Sequence, residues 1–292
     1  MRIANITVDG ERGLGSPDGQ GGVRWLPSSN AHGFVSVDAL IANDASWRDV
    51  EAAFAAASVR PEDAATFDPV IRRPGKVVCI GLNYRDHTAE SPYEQPDYPT
   101  VFTRVTTSLC GHAVPLLRPS ISDSFDFEGE MAVVIGRGGR HISRASALSH
   151  VAGYSVFNDG SVREYQFKSP QWTVGKNFDG TGAFGPYLVT ADELPPGGKG
   201  LQLTTRLNGE VVQQASTTDM VFPVDELIAV LSEAMTLEPG DVIVSGTPAG
   251  IGWARDPKLL MQDGDVCEVE IEGVGLLRNP VVEAEAARRD AA

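Results

Sequence analysis

Cysteine is scarce in this 292-residue chain, and its three copies are far apart. Cys79, Cys110 and Cys267 form no CxxC pair, and Cys79 and Cys267 alternate with apolar neighbours, so we expect core packing rather than metal binding or thiol chemistry. No apolar run approaches the ~18 residues that span a bilayer, and the first residues contain no signal-like apolar segment. These absences predict a soluble, cytoplasmic protein of a reducing compartment, with no membrane partner.

Positive charge is also in short supply. Lys and Arg number 24 against 39 Asp and Glu, which gives a formal net charge of -15. An acidic surface repels phosphate backbones, so we expect no nucleic-acid partner. The sequence has no phosphate loop ending in GK[ST] and no GxGxxG after a strand, which disfavours nucleotide cofactors. Most of the surplus acid serves solubility, but it leaves room for carboxylates that bind a cation.

The first 70 residues are predicted to form a small N-terminal α+β domain. MRIANITV alternates as a strand does, DGERGLG is typical of a hairpin loop, and GVRWLP returns as a strand. A helix is predicted over SWRDVEAAFAAASV, and Pro61, Pro69 and Pro74 then mark a boundary. We expect the catalytic domain over residues 71–283 and a frayed tail over 284–292.

Residues 71–283 contain mostly short strand patterns between turns rich in Gly and Pro. The clearest strand candidates are KVVCIGL, EMAVVIG, VAGYSVFND, FGPYLVT, LQLTTRLNG, GDVIVSGTP and DVCEVEIEG. One firm helix is predicted over FPVDELIAVLSEAM, which has an apolar stripe. Many strands with few helices predict a β-rich α+β fold, closed or sandwich-like.

Three carboxylates stand before a buried strand in SFDFEGEMAVVIG. Residues two apart share a face of a strand, so Asp126, Glu128 and Glu130 should project together. Like charges beside an apolar strand repel each other, and loss of water makes the repulsion worse. This stretch therefore predicts either a strand end open to water or a bound cation.

A second strand adds a further acid, because VAGYSVFND ends at Asp159. A set of carboxylates without His or Cys suits a hard cation such as Mg²⁺, Mn²⁺ or Ca²⁺ rather than Zn²⁺. Asp126 is a ligand candidate or a turn former, and we assign it a supporting role behind Glu128 and Glu130.

Three more segments contain groups suited to catalysis. In CIGLNYRDHTAESP, a helical turn would bring Glu90 beside His87 and hold it as a general base, although such pairs are often surface pairs. Lys176 lies in the Gly-rich SPQWTVGKNFDGTGAFGP, where it is either solvated or placed to neutralise an anion. SGTPAGIG is a turn in which Thr247 can donate a hydrogen bond.

Five ordered blocks together resemble the fumarylacetoacetate hydrolase family over residues 75 to 275. These blocks are GLNYRDHTAE, FDFEGEMAVVIG, GYSVFNDGSVREYQ, GKNFDGTGAFGP and LEPGDVIVSGTPAGIG. The resemblance implies a mixed β-roll or sandwich, a homodimer, and Mg²⁺ or Mn²⁺ as cofactor, with Ca²⁺ in some members.

Carried over to this sequence, the resemblance assigns a role to each position. The implied metal ligands are Glu128, Glu130 and Asp159; the implied catalytic residues are His87, Glu90 and Lys176; and the implied substrate-binding residues are Tyr84, Arg163, Gln166 and Thr247. Arg104 departs from the family pattern, in which many members have a lysine, and we expect this change to alter the substrate group that is bound.

The activity implied by the resemblance is hydrolysis of the C3–C4 bond of an acylpyruvate, a small 2-oxo acid with a second carbonyl. In that mechanism His87, oriented by Glu90, activates water, and the metal and Lys176 stabilise the pyruvate enolate. Such an enzyme would serve catabolism of aromatic compounds or sugar acids. Two alternatives stay open: decarboxylation or tautomerisation of oxaloacetate at the same site, and a metal-binding domain without catalysis. A distal carboxylate of the substrate would be met by Arg85, Arg104, Arg163 or Tyr187, which the sequence does not rank.

Overall fold

The strands and helices below come from a computed structural model that describes residues 1–91 and 93–284. The strands are β1 (Arg2–Val8), β2 (Glu11–Pro17), β3 (Gly22–Pro27), β4 (Ser58–Pro61), β5 (Ala65–Phe67), β6 (Val77–Gly81), β7 (Thr100–Arg104), β8 (Leu109–Cys110), β9 (Leu116–Arg118), β10 (Phe125–Asp126), β11 (Gly129–Ile135), β12 (Val151–Asp159), β13 (Ser161–Val162), β14 (Gly182–Thr190), β15 (Gln202–Leu207), β16 (Glu210–Ser216), β17 (Val242–Val244), β18 (Val266–Ile271) and β19 (Gly275–Glu283). The helices are α1 (Val37–Ala42), α2 (Trp47–Ala55), α3 (Arg85–Glu90), α4 (Arg144–Ala147), α5 (Arg163–Gln166) and α6 (Val224–Ala234). Short 3₁₀ turns cover Glu62–Ala64, Thr106–Ser108, Leu148–His150, Ala191–Glu193, Pro196–Gly198, Thr217–Asp219 and Gly252–Ala254.

One long mixed sheet runs through the molecule in the order β4-β3-β2-β1-β14-β12-β11-β17-β6-β7, with β5 beside β1 and β8 beside β14. A second sheet has the order β16-β15-β18-β19-β9, and β10 pairs with β13 as a separate ribbon. Most pairings are antiparallel, but β6 with β17, β8 with β14 and β9 with β19 are parallel. The α+β, β-rich fold class predicted from the sequence is confirmed.

Strand β11 is buried on both faces, and its alternation divides the core in two. Met131 and Val133 belong to the apolar cluster shared with the second sheet and α6. Ala132 and Val134 belong to the cluster on the other face, which also contains Phe54 of α2. A strand covered on both sides reads as a continuous apolar run, which explains the sequence MAVVI.

The N-terminal 70 residues are continuous with the long sheet. Strand β1 pairs with β14, with Arg2 opposite Val189 and Ile3 opposite Leu188. Helix α2 begins where expected, after the N-cap Ser46, and buries Phe54. The hairpin loop expected over DGERGLG is limited to its first residues, because β2 already begins at Glu11. The boundary near residue 70 stays a prediction, and beyond Ala284 the predicted tail lies outside the described residues.

The predicted strands and the predicted helix over 222–235 are present, and α6 covers Val224–Ala234. The strands that were not predicted are β2, β4, β5, β7, β8, β9, β10, β13, β16 and β19. Strand β7 lies at one edge of the long sheet, and β16 lies at one edge of the second. Edge strands bury one side less completely, so their sequences carry a weaker apolar signal.

Candidate active site

The pairing of β11 with β12 brings the predicted metal ligands together. Gly129 lies opposite Asn158, so Glu128 just precedes β11 where Asp159 ends β12. The Asp159 N–H donates to the Glu128 carbonyl at 2.8 Å, and the Glu128 N–H donates to the Asn158 side chain at 3.0 Å. One carboxylate oxygen from each of Glu128, Glu130 and Asp159 lies within 4.8 Å of the others, and all three residues are buried.

The acidic triad, defined as Glu128, Glu130 and Asp159, is contacted by Lys176 and Arg163 on the side of the cavity and by Arg104 behind Asp159. The Lys176 ammonium donates to Glu128 Oε2 at 2.7 Å and to Asp159 Oδ2 at 2.6 Å. Arg163 Nη1 lies 2.6 Å from Glu128 Oε1. Although burial opposes its charge, the neighbouring carboxylates of Asp159 and Glu128 raise the pKa of Lys176 above its ordinary value, so the side chain is a cation and not a base.

The three acids of the triad differ in how well they are neutralised. Burial would raise the pKa of Glu128, but Lys176 and Arg163 overcome it and lower that pKa to about 2. Glu130 receives a single hydrogen bond in the described part of the chain, from the Gly246 N–H at 2.5 Å. Burial, together with the Asp159 and Glu128 carboxylates, raises the pKa of Glu130 well above its usual range. Glu130 is therefore the acid that most needs a further positive charge.

This donor set fits a hard divalent cation. All three ligand atoms are carboxylate oxygens, which suits Mg²⁺ or Mn²⁺, or Ca²⁺, and disfavours Zn²⁺. Glu128, Glu130 and Asp159 would hold such an ion. A bound cation would offset both the burial and the carboxylate repulsion that raise the pKa of Glu130.

Arg104 supports the triad and is not free to bind a distal substrate group. Its guanidinium is completely buried, and Nη1 donates to Asp159 Oδ1 at 2.5 Å and to the Gly160 carbonyl at 3.1 Å. Nη2 donates to Thr181 Oγ1 at 2.7 Å, and Nε donates to Ser108 Oγ at 3.2 Å. The expectation that Arg104 contacts substrate is wrong because its donors are used inside the protein.

Asp126 also has a supporting position, as expected, but not on a shared strand face. The chain leaves β10 at Asp126 and enters β11 only at Gly129, so simple alternation is interrupted. Asp126 accepts from Arg163 Nε at 2.9 Å and from the backbone N–H groups of Gly252 and Trp253 at 2.8 and 2.9 Å. It therefore fixes the guanidinium that contacts Glu128.

His87 and Glu90 meet across one turn of α3. His87 Nδ1 lies 2.8 Å from Glu90 Oε1. A carboxylate oxygen can only accept, so Nδ1 donates this hydrogen bond, and in the neutral ring Nε2 is the nitrogen that has the lone pair. Glu90 is held in turn by the Gly250 N–H, at 2.9 Å from Oε2. Nε2 has no hydrogen-bond partner among residues 1–91 and 93–284, and His87 lines the cavity.

The loop after β17 joins these groups through its backbone. The N–H groups of Gly246, Gly250 and Gly252 donate to Glu130, Glu90 and Asp126, respectively. Gly246 has φ +100°, and a Cβ there would lie 2.6 Å from the Asn83 Cβ, so only glycine fits. The sequence marked this turn by its glycines, but it gave no sign that three acids would be bound by it.

Thr247 and Gln166 differ in whether their side chains have a hydrogen-bonding group free for a ligand. The Thr247 hydroxyl donates to the Gly129 carbonyl at 3.0 Å and accepts from Gln213 at 2.8 Å. Gln166 accepts from Arg163 Nη1 at 2.8 Å through its carbonyl oxygen, so its NH₂ group has no protein partner in the described residues. Gln213 was not identified from the sequence.

A small cavity of about 70 Å³ lies beside the triad. Of the residues singled out in the sequence, it is lined by His87, Glu90, Glu128, Glu130, Arg163, Gln166, Lys176 and Thr247. Its apolar side is formed by Ile80, Leu82, Tyr93, Phe102, Phe167, Trp172, Ile251 and Trp253. Arg163 Nη2 is buried with no hydrogen-bond partner in the described chain, which leaves one donor for an anionic ligand.

Three residues considered for substrate binding lie elsewhere. Tyr84 is fully buried in the apolar core, outside the cavity lining, and burial raises the pKa of its hydroxyl far above the usual range. Tyr187 packs against Phe67 near the N-terminal strands. Arg85 is exposed on α3 and does not line the cavity. A substrate-contacting role for Tyr84 and Tyr187 therefore has no geometric support.

Residues 76–282 match the sequence pattern of the family described as "Fumarylacetoacetate (FAA) hydrolase C-terminal". That segment holds the triad, the His87–Glu90 pair, Lys176 and the loop after β17. The chain belongs to the fumarylacetoacetate hydrolase family. The resemblance drawn from the five sequence blocks is confirmed.

Relatives of known name fall into two kinds within this family. The human mitochondrial oxaloacetate tautomerase FAHD2A is 42% identical over 226 residues, which cover 77% of this chain and 72% of the relative. The fumarylacetoacetate hydrolase of Exiguobacterium antarcticum has a structure that matches with a TM-score of 0.85 at 34% identity, over 97% of this chain and 99% of that one. The maleylpyruvate hydrolase of Sphingobium sp. SYK-6 matches with a TM-score of 0.81 at 25% identity, over 97% and 100%.

This chain is therefore an enzyme of the fumarylacetoacetate hydrolase family, which disfavours the alternative of a metal-binding domain without catalysis. Among the described residues, none of the helices is long and apolar enough to cross a membrane.

Proposed function

We propose that the enzyme interconverts the keto and enol forms of a small 2-oxo dicarboxylic acid, with oxaloacetate as substrate. The observation that carries the proposal is one cavity lined by Glu128 and Glu130 of the acidic triad, by His87, whose Nε2 has no partner in the described residues, and by Arg163, whose Nη2 has none either. The cavity is small, which favours a four-carbon acid. Similarity to the oxaloacetate tautomerases points the same way.

Glu128, Glu130 and Asp159 would hold one Mg²⁺ or Mn²⁺, or Ca²⁺. When bound, this ion would polarise the 2-oxo carbonyl and favour loss of a proton from C3. The protein residues then have three tasks: to remove the proton, to stabilise the charge that develops, and to orient the acid.

His87 is the proposed general base. Glu90 keeps the proton on Nδ1, so the lone pair of Nε2 is available to remove a proton from C3. The electron pair of the broken C–H bond forms the C2=C3 double bond, and the π pair of the carbonyl moves to the 2-oxo oxygen. This oxygen takes up a proton from water to give the enol, and His87 Nε2 releases the proton that it removed to water. The reverse steps return the proton to C3 and complete the tautomerisation.

Lys176 and Arg163 are the proposed anion partners. Lys176 stays protonated among its carboxylates and would offset negative charge on the 2-oxo oxygen. Arg163 is anchored by Asp126 and Glu128, which leaves Nη2 for a substrate carboxylate. The free NH₂ of Gln166 would donate to the same carboxylate.

Hydrolysis of an acylpyruvate is the second candidate function. The same His87–Glu90 pair is suited to activate water, and the fold matches a maleylpyruvate hydrolase closely. Here the water would attack C4, the C3–C4 bond would break, and the C3 carbon would keep the electron pair as pyruvate enolate. Decarboxylation of oxaloacetate would use the same enolate without water.

One assay separates these reactions. The purified enzyme is treated with chelator, reconstituted with Mg²⁺, and given oxaloacetate and an acylpyruvate side by side. Loss of the enol form without pyruvate is expected for a tautomerase, whereas pyruvate from oxaloacetate indicates decarboxylation and pyruvate from the acylpyruvate indicates hydrolysis. Full tautomerase activity in both Glu128→Gln and His87→Ala would disprove the proposed site.

The homodimer and the cytoplasmic location stay predictions, and the animal relatives are named as mitochondrial. Sedimentation at two protein concentrations tests the dimer.

A further inference from the structure

The aromatic side of the cavity is built around Trp172. Its indole ring lies over Gly81 at the end of β6, where a Cβ would come within 2.3 Å of Cζ3 and 2.8 Å of Cη2 of that ring. Real Cβ contacts are never this short, so the ring occupies the space that a side chain at position 81 would fill. Gly81 and Trp172 both line the cavity.

Trp172 is connected to the charged side of the cavity in two ways. Its carbonyl accepts from the Lys176 N–H at 3.3 Å, so the two residues share one turn of chain. The Phe102 ring is a neighbour of both side chains, with its centroid 5.0 Å from the Lys176 Nζ and 5.5 Å from the indole centroid. The indole therefore stands about one aromatic ring away from the triad's cation.

Tyr93 extends this wall towards the outside. Its ring centroid lies 5.7 Å from that of Trp172, and Tyr93 is 39% exposed. Trp172, Phe102 and Tyr93 thus form a continuous aromatic wall that begins beside Lys176 and ends at the surface. These three rings are apolar over most of their surface, so we expect the wall to act on a substrate chain mainly through the volume that it fills.

We propose that Trp172 determines the chain length of the substrate, by closing the aromatic side of the cavity to 2-oxo acids with long unbranched tails. The inference rests on the proposed function in one respect only, that the ligand is a 2-oxo acid. The cavity of about 70 Å³ fits this preference for short chains. Removal of the indole joins the space above Gly81 to the cavity.

The test measures binding rather than turnover. Dissociation constants of 2-oxobutanoate and 2-oxooctanoate are measured by calorimetry on the Mg²⁺-loaded full-length enzyme. The wild type should prefer the shorter acid. In Trp172→Ala, the preference should shift towards the longer acid by at least about tenfold, since hydrophobic pockets discriminate by about tenfold or more per methylene. Trp172→Leu should give an intermediate shift, and it serves as the test variant if Trp172→Ala does not fold.

A second substitution at Gly81 provides a specific rescue. In the Trp172→Ala background, Gly81→Val places a side chain in the space that the indole has left, and it should restore the preference for the shorter acid. Trp47→Ala is the matched control for loss of a tryptophan, because Trp47 lies in α2 and does not line the cavity. Its chain-length preference should equal that of the wild type.

Oxaloacetate tautomerisation is measured on the same proteins. An unchanged preference in both Trp172 variants, or equal binding of both acids by the wild type, would overturn the role of Trp172. If the preference shifts as expected while the wild type fails to tautomerise oxaloacetate, the wall stands and the proposed activity is wrong. A shift that Gly81→Val does not reverse would also count against the wall, because it would show that the filled volume is not what excludes the longer acid.

Discussion

The N-terminal strands and the strands that carry the site belong to one sheet, but they are stabilised by opposite kinds of interior. In residues 1–70 the one buried polar side chain is Asn5, which donates to Asp38 and Val70 and accepts from the Val37 N–H. Around the site seven charged side chains are buried: Arg104, Asp126, Glu128, Glu130, Asp159, Arg163 and Lys176. Four carboxylates against three cations leave one formal negative charge.

This difference separates stability from function. An apolar interior gains free energy from burial itself, whereas buried ions must first recover the cost of losing water through good pairing. We therefore expect substitutions in the N-terminal region to change stability alone. Substitutions among the buried charges should change both stability and ligand binding.

The largest expected effect is on catalysis and comes from His87→Ala. Loss of the general base should lower kcat about 10²- to 10⁴-fold in the tautomerase assay. His87 lies at the cavity, and in the described part of the chain its ring hydrogen-bonds only to Glu90, so the midpoint of thermal unfolding should change little. The control is Glu90→Gln, which keeps a hydrogen-bond acceptor and should retain part of the rate. A normal kcat in His87→Ala would contradict the proposed mechanism.

Arg104→Met should damage stability and metal binding together. It leaves Asp159 with one cationic partner in a buried site, and breaking a buried ion pair typically costs about 3–5 kcal/mol. Metal affinity, measured by calorimetry with Mn²⁺, should fall about 10- to 100-fold because the ligand loses its orientation. Arg104→Lys should recover much of both. Unchanged Mn²⁺ affinity in folded Arg104→Met would show that Asp159 needs no positioning.

Phe54→Ala is the N-terminal counterpart. Phe54 is 3% exposed in the cluster between α2 and the long sheet, and removal of a buried phenyl ring costs about 3–5 kcal/mol of unfolding free energy. Below the unfolding transition, kcat and Mn²⁺ affinity should equal those of the wild type. Arg104→Met and Phe54→Ala should therefore lose similar amounts of unfolding free energy, but only Arg104→Met should lose Mn²⁺ affinity. A drop in Mn²⁺ affinity in Phe54→Ala would show that the N-terminal region affects metal binding as well as stability.

The contact between the two regions should respond to pH. His112 packs edge-on against Phe67 and accepts the Arg278 N–H at Nδ1, which requires the neutral ring. Burial, and secondarily the Arg278 charge, lower the pKa of His112 to about 4. The unfolded chain binds this proton near pH 6.5, so the stabilisation is present above 6.5 and is lost as the pH falls towards 4.

The loss should reach about 3 kcal/mol. It is measured by urea unfolding between pH 7 and pH 4, as the difference between wild type and His112→Gln, since carboxylates contribute equally to both. Parallel stability curves for the two proteins would show that His112 does not titrate in this range.

The smallest expected effect is at a helix end. Ser36 Oγ accepts the Ala39 N–H at 3.1 Å and caps α1 in the N-terminal region. Ser36→Ala should cost about 1 kcal/mol in urea unfolding and leave activity unchanged, while Ser36→Asp should retain the cap. A loss well above that size would mean that α1 docks through Ser36 itself.

The sequence was sufficient to predict the strands with strong apolar patterns and to group the three acids of the triad. Strand MAVVI is apolar on both faces because both faces are covered, and the sequence shows this directly as an unbroken run of apolar residues. The proximity of Glu128 to Asp159 followed from two strand ends and family resemblance. Edge strand β7 was missed, and with it the geometry of Arg104.

The wrong predictions were substrate contacts that depend on the direction in which a long side chain points. Arg104 faces inward to Asp159 because β7 follows β6 at the sheet edge, and Tyr84 is buried in the core one residue before α3. The neighbouring residues in the sequence do not show whether such a side chain points into the protein or towards a ligand. The same limit hid Trp172, whose role depends on the absence of a side chain at Gly81, ninety-one positions earlier in the chain.

The loop after β17 holds Glu130, Glu90 and Asp126 by main-chain N–H groups only. Such donors are present whatever residue the codon specifies, with proline as the single exception among the twenty. Random mutation can strain this loop or crowd it, but it removes a donor only when it introduces proline. The three acids are nevertheless bound by glycines that cannot be replaced freely, since a Cβ would lie 2.3 Å from the Val212 carbonyl oxygen at Gly250 and 1.6 Å from the Leu259 carbonyl oxygen at Gly252. The hydrogen bonds depend on no side chain of this loop, but their geometry depends on the absence of side chains at its three glycines.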